Sequence, residues 1–304
     1  MEERAAKYRM ADLKAVSANL TKNYLEKVGG ERIVTDDRTA LVYSAVRMPA
    51  TIGAITSALK ATVKRIPTIE INSVLDVGAG TGATLWAVAD NVAEVDCLER
   101  EKSMINLGKQ LSDRFFCGKT NWINNDIKTF NPSKKYDLVV ASYALNELKD
   151  EDRKEVLGKI WNATEKVLLI VEPGTVNAFN LQKSVREIMR SMGAELVSPC
   201  PHNGDCPLVD DWCHFTVRIA RSKLHKALKG GDVPYEDEKF TYSAFFKGEV
   251  ERCEKRIIRH PVILPGTINL TVCSNKGIES ETVRKNDKEK FKTARKIKCG
   301  EEWS

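Results

Sequence analysis

The chain has 304 residues, 42% of them hydrophobic and 30% charged, with 48 Lys and Arg against 42 Asp and Glu and a net charge of +6. That balance is the composition of an ordinary folded protein and excludes a disordered one, and no apolar run approaches the ~20 residues that span a bilayer, so no membrane partner is expected. The basic excess is compatible with a nucleic-acid partner without establishing one. Met1-Glu-Glu-Arg leads into no apolar stretch of signal type, and its early acids argue against a transit peptide. A cytoplasmic location is expected. There the eight cysteines suggest reduced thiols, a metal site or a catalytic cysteine rather than disulfides.

Residues 1–65 read as helical. Tyr8, Leu13, Val16, Leu20, Tyr24 and Val28 recur at spacings of three to five, and Gly29-Gly30 ends the run. A second helix is expected from Asp36 to Met48, stopped by Pro49, and a third from about Thr51 as N-cap. The region reads as a lid on the next domain, with a role as a wall of the substrate cleft open.

From about Pro67 the pattern becomes strand–helix–strand. Val74, Leu75 and Val77 form a short apolar strand, and Gly78, Gly80 and Gly82 follow it before a helix from Thr84 to Asp90. Such a loop lets backbone approach a ligand at a helix N-terminus. Gly78-x-Gly80-x-x-Ala83 also fits a relaxed dinucleotide fingerprint. Asp76 separates the two cofactors: a carboxylate there would repel a pyrophosphate but attract the ammonium and sulfonium of S-adenosylmethionine. The methyl donor is the favoured ligand.

Glu94–Glu99 reads as the second strand. Glu99 stands ~20 residues past the loop, where a carboxylate accepts ribose hydroxyls; its blander reading is a solvated strand-end acid. Glu101–Leu111 is a helix, Asn121–Asp126 a third strand, and Asp126 with Ile127 the place for adenine. Asp137–Ser142 and Lys166–Val171 are the fourth and fifth strands. Repeated apolar strands with intervening helices indicate a parallel sheet covered on both faces. Glu172, after the fifth strand, and Gly82 border the pocket. Phe179–Met192 is a helix ended by Gly193.

The fourth strand limits the chemistry. Adenine and glutamine N-methyltransferases carry an Asn/Asp-Pro-Pro-aromatic turn there, whereas this chain has Ala141-Ser-Tyr-Ala144. Cytosine C5 enzymes need a cysteine nucleophile beside the fourth or fifth strand end, and neither end offers one. No general base can be named. In-line methyl transfer can proceed on positioning alone.

Cys200, Cys206 and Cys213 lie within fourteen residues, among prolines and Gly204 that forbid a helix. Three converging thiolates want a fourth metal ligand. Cys253, Cys273, Cys299, His202 and His214 are the candidates; the spacing lacks the paired Cys-x-x-Cys of zinc ribbons, so zinc is less favoured. The bland alternative is three buried cysteines in a loop.

Thr216–Lys229 carries Arg218, Arg221, Lys223, Lys226 and Lys229 with no acid. Read as one helix, it places Val217, Leu224 and Leu228 on one face, and Arg218, Lys223, Lys226 and Lys229 on the opposite one. Those four are the candidate contacts to an RNA backbone, against the plainer reading of a solvated helix face. Residues 251–304 hold 13 Lys or Arg against 8 Asp or Glu. Val262–Leu264 and Thr267–Cys273 read as strands and Asp287–Lys298 as a helix, together a small β-rich and barrel-like module.

Several segments occur together: Arg47-Met-Pro-Ala-Thr51, the glycine loop, Ala141-Ser-Tyr, Val171-Glu-Pro-Gly-Thr175, the Cys-Pro-His and Asp-Trp-Cys-His-Phe segments, and Gly230-Gly with Tyr235–Phe240. With them the chain resembles, over nearly its whole length, the methyltransferase-like family of mitochondrial small-ribosomal-subunit assembly proteins and its prokaryotic relatives. The resemblance implies a class I methyltransferase (Rossmann-like) α/β fold that acts on or binds the small ribosomal subunit and its rRNA. It also implies a four-iron, four-sulfur (4Fe-4S) cluster on four cysteines. Cys200, Cys206 and Cys213 match three of these, and Cys273, in Leu270-Thr-Val-Cys-Ser274, matches the fourth; Cys253 and Cys299 have no match.

The expected organisation is an N-terminal helical region (1–65), an S-adenosylmethionine-binding domain (66–198), a cysteine-rich loop and basic helix (199–240), and a β-rich C-terminal module (241–304). The expected function is that of an S-adenosylmethionine-dependent methyltransferase, or methyltransferase-like protein, acting on small-subunit rRNA. Its alternative is a non-catalytic RNA-binding assembly factor that keeps the cofactor site for structure.

Overall fold

The computed structural model describes residues 1–26, 34–90 and 92–304, with side chains left undescribed at 23–26. Helices α1 (Glu2–Ala5), α2 (Met10–Glu26), α3 (Asp37–Val46) and α4 (Met48–Val63) come first. Asp36 caps α3 by accepting from the Thr39 amide at 2.9 Å. The expected break at Pro49 does not occur there. Pro49 sits in the first turn of α4, where its missing N–H costs nothing, and the helix therefore starts at Met48 rather than Thr51. Thr51 is inside the helix, its hydroxyl donating to the Arg47 carbonyl. The helix end expected at Val28 to Gly30 falls outside the described residues, and nothing is described of the Tyr24 side chain.

Strand and helix then alternate: β1 (Ser73–Val77), α5 (Ala83–Val88), β2 (Glu94–Glu99), α6 (Lys102–Ser112), β3 (Lys119–Asn124) and β4 (Tyr136–Ser142). After a 3-10 turn at Leu145–Glu147 come α7 (Asp150–Ala163), β5 (Thr164–Pro173), α8 (Val176–Ser191) and β6 (Glu195–Ser198). The cysteine loop leads to β7 (Phe215–Ala220), α9 (Lys223–Lys229) and β8 (Tyr235–Phe246). The chain continues through β9 (Lys255–Ile257), β10 (Val262–Leu264), β11 (Thr267–Ser274), β12 (Gly277–Arg284), α10 (Lys288–Ala294) and β13 (Glu302–Trp303).

The main sheet runs β3-β2-β1-β4-β5-β8-β6, with β7 also paired to β8. Strands β1 to β5 are parallel, and β8 is antiparallel to β5, β6 and β7. Alternate residues bury opposite faces, as the two-residue period requires. Val74, Leu138, Val140 and Leu169 pack with Ile55 and Ala58 of α4, while Leu75, Val139, Leu168 and Ile170 pack with Leu157 of α7 and Val185 of α8. Leu13, Leu41 and Val42 of α2 and α3 bury against Leu107 of α6 and Leu228 of α9.

Two expectations are corrected here. The run 216–229 is not one helix: its first part is strand β7, because Phe215, Val217 and Ile219 alternate with polar residues and pair with the long strand β8. The main sheet thus extends past residue 198, and β8 runs across the boundary expected at 240. The C-terminal strands form a small antiparallel sheet, β10-β11-β9-β13 with β12 on β11. Among the described residues no pairing joins β12 to β13, so the sheet is open rather than a barrel. No described helix is long and apolar enough to cross a membrane.

Candidate functional site

The strand order reverses between β1 and β4, and in open α/β sheets the crevice at such a point, at the carboxyl ends of the strands, takes the ligand. The glycine loop lies there. Gly78 and Gly80 have left-handed backbone, φ 72° and 57°. A Cβ on Gly78 would stand 2.8 Å from the Ala144 Cβ, so the loop after β4 closes directly on the loop after β1. Gly82 serves packing: a Cβ there would meet Leu85 at 2.9 Å and the Trp122 ring at 3.3 Å. The amides of Gly78 and Ala79 both donate to the Leu98 carbonyl at 2.9 Å, tying the loop to β2.

Asp76 is 1% exposed at the end of β1, and neither carboxylate oxygen has a hydrogen-bond partner. Thr84 lies beside it without hydrogen-bond geometry. Burial pushes the carboxyl up to about 7, the Glu99 charge adds to this, and Thr84 opposes it. An orphaned buried acid of this kind wants a cation. Glu99, 9% exposed, accepts from the Gly80 amide and the Glu101 amide, each at 2.8 Å. Its carboxylate therefore holds the loop closed, and each oxygen keeps a second lone pair for a hydroxyl. Asp126 accepts from the Lys128 amide at 2.9 Å and faces Arg100 at 3.6 Å. Glu172 is fully buried, accepts from the Leu145 amide at 3.0 Å, and is pushed up to about 8 by burial. Asp76, Glu99 and the loop glycines are thus brought together at the carboxyl ends of β1 and β2, with Glu172 on β5 and Asp126 past β3 tied to partners of their own.

Sequence reasoning missed the residues that wall this crevice. Ser44 of α3 donates to the Thr81 hydroxyl at 2.9 Å, Thr81 in turn donates to the Met48 sulfur at 3.2 Å, and the Tyr43 ring stands over Gly80. The junction of α3 and α4 covers the loop, which favours the cleft-wall role. Tyr143, directly after β4, has φ 56°, a conformation that costs a bulky residue roughly 1–3 kcal/mol and clusters at functional sites. Its hydroxyl donates to Glu238 of β8 at 2.8 Å, and Glu238 stands 4.0 Å from the Arg47 guanidinium. A tyrosine where the methyltransferase turn is absent was the available signal.

A second cavity lies between α8, the loop 199–214 and the small sheet. Cys200, Cys206, Cys213 and Cys273 all line it. Burial pushes Cys273 up to about 12 and raises Cys206 and Cys213 as well, with the neighbouring cysteines adding to each. His202 Nε2 is 3.8 Å from the Cys273 sulfur. Among the described residues no three Cys, His, Asp or Glu side chains stand close enough together to hold one metal ion. A single tetrahedral zinc would need its sulfurs about 3.8 Å apart, from bonds of about 2.3 Å; a cubane of four irons spaces them more widely. Four cysteines round one largely apolar cavity are a donor set whose chemistry fits a thiolate-held cluster. Cys253 lies elsewhere, its sulfur beside Arg65 at 2.6 Å, whereas Cys299 stands near enough to Cys213 to raise its thiol.

Of the four cations expected on an RNA-facing helix, two are engaged with acids of β8. Arg218 of β7 forks onto Asp237 at 2.7 and 2.9 Å, and Lys229 holds Glu236 at 2.8 Å. Lys223 and Lys226 of α9 have no ion pair among the described residues.

The reversing strand order, the glycine loop at its switch point and the antiparallel far edge define a class I methyltransferase-like protein. The family model described as mitochondrial small ribosomal subunit Rsm22 matches residues 37–304, and the chain belongs to that family. Human mitochondrial ribosome assembly protein METTL17 is 24% identical over 287 residues, covering 86% of this chain and 62% of the human protein. The mitochondrial Rsm22-cox11 tandem protein 2 of Schizosaccharomyces pombe is 34% identical over 86 residues, covering 24% of this chain and 11% of that protein. The chain thus spans less than two thirds of these relatives. Among solved structures, the N-methyltransferase NodS of Bradyrhizobium japonicum in complex with S-adenosyl-L-homocysteine superposes with a TM-score of 0.47 at 12% identity, covering 76% of this chain and all of NodS. Magnesium protoporphyrin IX methyltransferase of Synechocystis, with bound S-adenosylmethionine, gives 0.44 at 11%, covering 79% and 97%.

Proposed function

We propose that this chain is a methyltransferase-like protein that binds S-adenosylmethionine and acts on the rRNA of the small ribosomal subunit during its assembly. The observation that carries the cofactor is Asp76, a buried carboxylate with both oxygens unpartnered beside the glycine-rich loop. It would face the ammonium and sulfonium, Glu99 the ribose hydroxyls, and Asp126 with Ile127 the adenine, while Gly78 and Gly80 let the ligand approach backbone. Bound, the cofactor supplies an electrophilic methyl group; the chain's residues bind it, orient it and exclude water. The family and the ribosome-assembly role of the human relative support the assembly role. Lys223 and Lys226, with Arg218 and Lys229 nearby, are the proposed phosphate contacts. The cysteine cavity supports a 4Fe-4S cluster on Cys200, Cys206, Cys213 and Cys273.

A second reading, an assembly factor that keeps the cofactor only for structure, is favoured by Tyr143. It follows β4 directly, the position at which amino-methylating enzymes carry their Asn/Asp-Pro-Pro-aromatic turn, and its hydroxyl is committed to Glu238. Mapping small-subunit rRNA modifications by mass spectrometry in cells carrying Asp76→Ala separates the two. Loss of one methyl mark is expected for the enzyme. An unchanged set of marks with normal subunit binding supports the scaffold, and calorimetry detecting no heat from S-adenosylmethionine on folded wild type overturns both.

A further inference from the structure

The cysteine cavity is also a site of uncompensated positive charge. Arg186, 7% exposed, projects from α8 into it, and Arg256, 4% exposed, reaches it from β9. Neither has a carboxylate within ion-pair distance among the described residues, and no Asp or Glu lines the cavity. Arg256 donates to the Gly300 carbonyl and leaves its Nε without a partner. Lys183, one turn before Arg186 on α8, donates to the Leu208 carbonyl at 3.3 Å. Burying a cation costs several kcal/mol unless an anion answers it. Neutral thiols do not answer it; four thiolates around an iron–sulfur core, a net anion, do.

Arg186 does more than balance charge. One nitrogen donates to the Cys200 sulfur at 3.3 Å, and the other to the carbonyls of His202 and Gly204. Arg190, one turn on, pairs with Asp205. The helix therefore grips the loop at four points between residues 200 and 205. A cation and an N–H bond on a ligating sulfur both stabilise the more negative, reduced state of a cluster, which moves its potential upward.

We propose that Arg186 is a positioning residue for the cysteine-held cluster: it fixes the Cys200 loop to α8 and raises the cluster's reduction potential through the Cys200 sulfur. The inference rests on the cluster reading above. The electron added on reduction comes from dithionite and goes to the iron core, and no bond is made or broken.

The test is a dithionite potentiometric titration of the anaerobically purified full chain, followed by electron paramagnetic resonance, with iron, sulfide and circular dichroism measured on every sample. Arg186→Gln is expected to keep its fold and to lower the midpoint so that the reduced-to-oxidised ratio at fixed potential falls about tenfold, equivalent to about 59 mV for one electron. Should Arg186→Gln lose its iron, Arg186→Lys carries the measurement: it keeps the charge but not the fork, and its midpoint is expected below wild type. A wild-type midpoint in the iron-loaded variant overturns the role of Arg186 while leaving the cluster standing. Zinc, or no metal, in the wild type overturns the cluster itself and this inference with it.

Discussion

Asp76 is where a buried charge and a missing partner meet, and its protonation couples to the ligand. Its ordinary value of 3.8 is pushed up to about 7 by burial, with the Glu99 charge second among the causes that raise it. Between those values the folded chain holds a proton that the unfolded chain has released, so this group's contribution to stability falls as pH rises from about 4 to 7. A cationic ligand reverses the preference: binding expels the proton and tightens with pH across the same window, towards tenfold per unit. Calorimetry at about pH 5.5 and pH 7 should show weaker S-adenosylmethionine binding at the lower value and net proton release. Asp76→Asn should bind weakly at both, and a pH-independent affinity in the wild type would sink the role given to Asp76. The acid and its glycines were legible because a strand, an acid and three spaced glycines form a local pattern. The meeting of Tyr143, Glu238 and Arg47 was not, since Tyr143 follows β4, Glu238 lies on β8 and Arg47 joins α3 to α4, and only the tertiary fold brings them together.

The segment 215–246 shows how pairing overrides a local helical reading. Val217, Leu224 and Leu228 fit one helical face, yet β8 offers a long antiparallel edge, and the alternation of Phe215, Val217 and Ile219 matches it better. The same pairing supplies the counter-charges that the basic run lacks: Asp237 takes Arg218 and Glu236 takes Lys229. This predicts an asymmetry in RNA binding. Lys223→Ala and Lys226→Ala should each reduce the salt slope of small-subunit rRNA binding by about one. Arg218→Ala should change it less, because its fork is spent on Asp237. Equal effects of all three, read by filter binding over a salt series, would remove the assignment to α9. Strand β8 is itself central to stability. Phe245 is fully buried on it between β5 and β6, so Phe245→Ala should cost about 3–5 kcal/mol in urea unfolding. A loss below about 1 kcal/mol would show that β8 is not held as described.

Across the whole chain, the cysteine cavity joins parts that are far apart in sequence. Cys273 lies on β11, sixty residues past Cys213, and packs with Phe179 of α8 and Leu208 of the loop. A group ligated by all four sulfurs would close that long loop and hold the small sheet against the main one. Cys200→Ser, Cys206→Ser and Cys273→Ser should each abolish the brown colour and lower the melting temperature. In Cys273→Ser, hydrogen exchange should quicken in β9, β11 and β12 before it does in β1 or β4. Unaltered protection of the small sheet would mean that the cavity does not hold the two sheets together.

Strand–helix alternation, the cofactor loop and the run of three cysteines were all readable along the chain, because each depends on neighbours a few residues apart. Long-range pairing settled the rest. Strand β8 inserted between β5 and β6, converting the first third of an expected helix into β7, and α3 met α4 over the glycines. Two buried arginines, from α8 and β9, came to line the cavity of the cysteines. Each of these outcomes is set by which distant surfaces bury one another, and no local spacing encodes that.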